Sequence, residues 1–112
     1  MTHSSGKGRA GEDAAARFLA GLGYRVLERN LRVPGGEIDL VALDGRTLVF
    51  VEVKRRDGRS FGSALSAVDP AKRRRLRTLA ADYAQIVAPR ARIRFDIVTI
   101  DGNRLAVHRN AF

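Results

Sequence analysis

Between Gly36 and Lys54 the chain reads GEIDLVALDGRTLVFVEVK, two apolar stretches joined by a turn, and these carry Glu37, Asp39, Glu52 and Lys54. Carboxylates on strands this apolar need a reason. Side chains alternate between the faces of a strand, so Glu52 and Lys54 share a side with Phe50 and Leu48, while Val49, Val51 and Val53 take the other. If Asp44-Gly45 forms a two-residue turn, Asp39 faces Phe50 and Glu37 faces Glu52; a four-residue loop sets Asp39 directly opposite Glu52. Either even loop puts Asp39, Glu52 and Lys54 on one face, and a three-residue loop sends Asp39 to the far one. Two carboxylates about 4 Å apart repel by roughly 4 kcal/mol at an effective dielectric of about 20, and like charges across a strand pair are disfavoured. Lys54 can neutralise part of this. Hard divalent cations are the usual partners of clustered carboxylate oxygens, and magnesium takes one or two carboxylates plus waters and phosphate. Such an ion would polarise a phosphodiester and acidify a bound water, with Lys54 orienting the water or stabilising the pentacovalent charge. A salt bridge, Glu52 with Lys54 or Asp39 with an arginine at a sheet edge, is the purely structural alternative.

The flanking elements must hold these groups. From about Arg9 to Leu22 the apolar residues Ala15, Phe18, Leu19 and Leu22 make a helical stripe, with Gly23 as its C-terminal cap. Glu12 lies on or beside that stripe at the helix N-terminal end, where it can also complement the helix dipole. Tyr24 to about Val33 reads as an edge strand, with Tyr24, Val26 and Glu28 on one side and Arg25 and Leu27 on the other. Pro34-Gly35-Gly36 is a turn, and Lys54 to Ala67, rich in glycine, serine, Arg55, Arg56 and Arg59, reads as a loop. Asp69-Pro70 starts a second helix whose stripe of Leu76, Leu79, Ala80, Tyr83 and Val87 runs to about Ala88. Lys72, four residues before Leu76, extends this stripe, amid Arg73, Arg74, Arg75 and Arg77. Cations near a helix N-terminus oppose its dipole, so either an external anion or solvation accounts for them. Two more strands, Ile93 to Ile100 and Arg104 to Val107, flank Asp101-Gly102-Asn103, and Asp96 is expected to pair with an arginine. The order is helix, three strands, helix, two strands, with residues 1 to 8 as a flexible tail and residues 9 to 112 as a single α/β domain.

The totals narrow the function. A chain of 112 residues supports one core. Its 21 lysines and arginines against 12 acids give a formal charge of +9, a field that draws in polyanions, of which nucleic acid is the commonest in the cytoplasm. With no cysteine and only His3 and His108, disulfides and zinc sites are not expected. No stretch is long and apolar enough to span a bilayer, and the first residues show no secretory signal, so cytoplasmic residence without a membrane partner is the expectation. Gly6-Lys7-Gly8-Arg9-Ala10-Gly11 matches G-x-G-x-x-G in letters, but no strand can precede it, and a dinucleotide site is rejected.

An acid on the first helix, an Asp on one strand and E-x-K on the next resemble the PD-(D/E)xK nuclease superfamily, with archaeal Holliday junction resolvases as the nearest relatives. More narrowly, GEDAAARFL, GEIDLVAL, VFVEVKRR, FGSALSAVDPAK and RFDIV, in this order, are similar to the YraN family of small bacterial proteins, over about Gly11 to Val98. The resemblance implies a restriction endonuclease-like core with a mixed sheet flanked by helices. It makes Asp39, Glu52 and the backbone carbonyl of Val53 ligands of Mg2+ or Mn2+, Lys54 the catalytic lysine, and Glu12 a further ligand or supporting acid. Lys72 becomes a phosphate contact, and Arg55, Arg56, Arg59, Arg73, Arg74, Arg75 and Arg77 a nucleic-acid-binding surface. Ile38 stands where the superfamily pattern has proline. The implied activity is metal-dependent hydrolysis of DNA, branched or otherwise structured, by a homodimer. The alternatives are a non-catalytic nucleic-acid-binding module that keeps the fold, and an interaction protein of a processing complex. Phe61 is the one aromatic in the basic loop placed to stack on a base.

Overall fold

The computed structural model describes residues 6–56 and 70–112. Its elements run α1 (Gly6–Gly21), β1 (Arg25–Val33), β2 (Gly36–Asp44), β3 (Thr47–Arg56), α2 (Pro70–Val87), β4 (Arg92–Asp101) and β5 (Arg104–His108). The strands form one sheet in the order β1-β2-β3-β4-β5; β3 and β4 are parallel and every other pair is antiparallel. This is the expected order and mixed sheet, with β1 at an edge. One expectation fails at the centre. Lys54, Arg55 and Arg56 continue β3 instead of opening a loop, because β4 offers them a ladder as far as Arg56 opposite Asp101.

α1 begins at Gly6, ahead of the expected Arg9. It ends as expected on Gly23, whose positive φ of 98° lets Tyr24 N donate to Leu19 O and Gly23 N to Ala20 O. The Pro34-Gly35 turn delivers Gly36 against α2, where a Cβ would stand 3.2 Å from Leu79 Cδ1. Asp69, the expected cap of α2, lies outside the described residues; Pro70 takes the first helical position, where its missing N–H costs nothing.

The helices cover opposite sides of the sheet. Ala15, Ala16 and Leu19 of α1 pack on Leu40, Ala42, Val49, Val51, Val98 and Ile100. Leu76, Leu79, Ala80 and Ala84 of α2 pack on Ile38, Val41, Leu48, Phe50 and Phe95. The alternation along β3 is as expected, with Leu48 and Phe50 toward α2 and the three valines toward α1. Glu28 departs from expectation: a bulge between Val26 and Glu28 shifts the register and carries Glu28 to Tyr83 of α2 rather than to the Tyr24 side.

Candidate active site

The β2–β3 register runs from Asp44 opposite Thr47 to Leu40 opposite Val51. This is the four-residue spacing between Leu43 and Leu48, and one further step sets Asp39 opposite Glu52. There the strands part. β3 stays paired with β4, whereas the amide of Val53 donates to Asp39 Oδ2 at 2.8 Å, so a carboxylate takes a place in the ladder. β2 itself turns at this point: Leu40 faces the α1 core and Ile38, two residues away, the α2 core, although strict alternation would put both on one side. The partner strand shows the matching irregularity. Asn30, between the pairs Arg29–Leu40 and Leu31–Ile38 and so across from Asp39, has a left-handed φ of 51°. Asparagine tolerates that conformation, and local breaks of this kind re-aim side chains. The buried Oδ1 of Asn30 has no hydrogen-bond partner among the described residues.

The carboxyl groups of Asp39 and Glu52 are neighbours, and each shifts the other's titration. Burial, then the Glu52 carboxylate, push Asp39 up to about 8, against the pull of the Val53 amide, and the charge of Glu12 adds to the rise. Burial alone would raise Glu52 as well, but the proton on Asp39 and the ammonium groups of Lys72 and Lys54 outweigh it and hold Glu52 below its ordinary value. The pair therefore divides its roles, Asp39 keeping the proton and Glu52 the charge. Lys72 Nζ lies 2.9 Å from Glu52 Oε2. That ion pair raises Lys72 over the opposing effect of burial, while burial, reinforced by the neighbouring Lys72, lowers Lys54 despite the attraction of Glu52.

Two clefts meet at the two acids. One, of about 270 Å³ on the α1 side, is lined by Gly11, Glu12, Asp39, Glu52, Val53 and Arg55. The other, of about 170 Å³ on the α2 side, holds Gly36, Glu37, Lys72 and Arg75 beside the same two acids. Glu12 is buried, as its helical phase implies. Glu37 turns instead to Arg32, at 3.6 Å. Arg55 and Arg75 border the clefts, Arg73 and Arg77 lie over the rings of Phe112 and Phe95, and Arg74 is exposed. Arg56 closes β3, and Arg59 and Phe61 lie outside the described residues. The spacing argument placed Lys54 beside Glu52 and aimed Lys72 inward, but not the Lys72–Glu52 ion pair, which depends on how α2 docks.

A second polar cluster lies apart from the fork. Asp96, fully buried, accepts from Arg94 Nε and Nη2 at 2.8 and 2.9 Å, from the Tyr24 hydroxyl at 2.9 Å and from the Asn110 amide at 3.0 Å. Arg94 and Arg109 both donate to the Tyr24 hydroxyl, and Arg94 also pairs with Asp44. The expected arginine partner is thus present, joined by Tyr24 and Arg109, whose proximity no local pattern signals.

Among the described residues, no three acid or imidazole side chains come close enough together to hold a metal ion. The donor set at the fork is two carboxylates and the nearby main chain. That set does not fit zinc or calcium, which draw three or more protein ligands, but it does fit magnesium or manganese, which complete their shells with water and phosphate.

The element order and the mixed five-stranded sheet, with an acid–lysine cluster where its central strands part, define a small mixed α/β protein. A family model described as "Uncharacterised protein family UPF0102" matches residues 11–100. The chain is 47% identical over 109 residues to a UPF0102 protein of Dechloromonas aromatica, covering 97% of this chain and 90% of that one. With a UPF0102 protein of Symbiobacterium thermophilum it shares 50% identity over 111 residues, covering 94% of each. The chain belongs to the UPF0102 family, the YraN family of the ordered motifs. Among the described residues, no helix is long and apolar enough to cross a membrane.

Proposed function

We propose that the protein is a metal-dependent nuclease that hydrolyses phosphodiester bonds in structured, branched DNA. The observation that carries this reading is the Asp39–Glu52 pair: two neighbouring carboxyl groups on adjacent strands, at the meeting of two clefts, in a chain of charge +9. A module that only bound phosphate would gain nothing from anions there, since they weaken polyanion binding. Asp39, Glu52 and the Val53 carbonyl would hold Mg2+ or Mn2+, with Glu12 supporting Asp39 from the α1 side. When bound, the ion supplies charge neutralisation at the phosphate and an acidified water.

The chain's own residues supply the rest. Lys54, positive beside Glu52, orients the attacking water and stabilises the pentacovalent charge as the bond from that oxygen to phosphorus forms and the bond to the leaving oxygen breaks, the water's proton passing to solvent and the leaving oxygen taking one up from it. Arg55 and Arg75, one on each cleft, position the flanking phosphates.

The test is cleavage of end-labelled single-stranded, duplex, flapped and four-way-junction DNA with Mg2+ or Mn2+, comparing wild type with Glu52→Ala. Metal-dependent cutting of the branched substrates by wild type alone is the expected result. Binding without cutting by both proteins, tighter for the variant, would replace the enzyme with a binding module that keeps the fold.

A further inference from the structure

Lys72 holds a place that a metal ion would contest. Its Nζ sits 2.9 Å from Glu52 Oε2, and the Glu52 side chain is only 10% exposed while that of Lys72 is 30% exposed. An ammonium and a divalent cation compete for that oxygen at contact distance, because both are positive and the carboxylate between them is largely withdrawn from water. Lysine is suited to giving way. It is a compact charge on a flexible four-carbon stem with three rotatable donors, and at the start of α2 its ammonium can leave Glu52 with the helix in place. The α2-side cleft that Lys72 lines with Arg75 gives the ammonium somewhere to go.

Leaving has a cost that depends on what occupies the cleft. Without a phosphate, an ammonium taken off Glu52 exchanges a charge-assisted hydrogen bond in a partly dry site for water, and a cation must offset that loss. With a phosphate in the cleft, the ammonium exchanges one anion for another.

We propose that Lys72 is a coupling residue that exchanges partners, holding Glu52 when no metal is bound and contacting a phosphate oxygen of the nucleic acid when metal is bound. This rests on the reading of Asp39 and Glu52 as metal ligands. Metal and nucleic acid then bind cooperatively, and by linkage each raises the other's affinity by the same factor. Without nucleic acid the protein binds metal weakly, so metal loading is favoured in the substrate complex.

The experiment is calorimetric titration of Mn2+ into wild type, Lys72→Met, Lys72→Gln and Glu52→Gln, each with and without single-stranded phosphorothioate DNA, which resists cutting. Circular dichroism verifies that each variant is folded. In wild type, DNA should raise Mn2+ affinity by roughly tenfold, a common size for coupling between sites. Both Lys72 variants should bind Mn2+ more tightly than wild type in the absence of DNA, and the enhancement by DNA should vanish. Tighter binding with the enhancement intact would reduce Lys72 to a counter-ion and overturn the proposal, as would unchanged affinity in both variants. Equal Mn2+ binding by wild type and Glu52→Gln, or none by any protein with or without DNA, would overturn the metal reading itself.

Discussion

Asp96 and Asp39 are both acids withdrawn from water, and their surroundings differ. Asp96 accepts from a guanidinium twice, a hydroxyl and a main-chain amide, so both of its oxygens are saturated. Asp39 accepts from one amide and faces another carboxyl group. Arg94 and Tyr24 complete their hydrogen bonds within the Asp96 cluster, while at the fork the two acids cannot both ionise without a cation. Partner chemistry, rather than burial or charge, separates the acid that holds the fold from the acid that the proposed function assigns to a metal ion.

That contrast predicts opposite responses to mutation. Asp96→Ala strands the Arg94 guanidinium beside a fully buried gap, and a loss of about 3–5 kcal/mol in urea unfolding is expected. A loss under about 1 kcal/mol would break the comparison. Asp39→Asn should do the reverse, raising stability at pH 9 by something on the order of 1–2 kcal/mol while abolishing metal-dependent cutting.

The pH dependence follows from the same difference. Asp39 is raised from 3.8 to about 8 on folding, so across that interval the folded metal-free protein keeps a proton that the unfolded chain releases. Its contribution to stability therefore falls as pH rises from about 4 to about 8. Unfolding at several pH values should show this slope in wild type and lose it in Asp39→Asn. The smallest expected effect is that of Tyr24→Phe, which removes the hydroxyl between Arg94, Arg109 and Asp96 at a cost of about 1 kcal/mol and leaves cutting unchanged.

The parts of the molecule that were legible in sequence are those decided over a few residues. The Gly23 cap, the apolar stripes of both helices, the parity of β3 and the inward aim of Lys72 each rest on local spacing. The β2–β3 turn left three registers open, and the four-residue spacing prevailed, which is what sets Asp39 against Glu52. The bulge near Glu28 was not legible, since only the partner strand reveals the slip, whereas Asn30, a residue rare in strands and common at positive φ, was a signal the strand reading passed over. Lys54 to Arg56 carried loop-like charge, and the ladder with β4 overrode it. The Tyr24–Asp96 bond joins residues 72 positions apart and the Tyr24–Arg109 bond residues 85 apart, beyond the reach of any periodicity.

The single parallel pair in the sheet also orders events in time. β1, β2 and β3 form a meander whose short turns close quickly, which is enough to bring Asp39 opposite Glu52. Lys72 arrives only with the crossover through α2 that lets β4 lie alongside β3, a longer loop closure and a slower one. Loop closure therefore favours a meeting of the two carboxylates, with Lys54 beside them on β3, before Lys72 reaches Glu52. The acid pair thus opposes the early meander, and acidic conditions, which neutralise it, should speed the first phase of refolding.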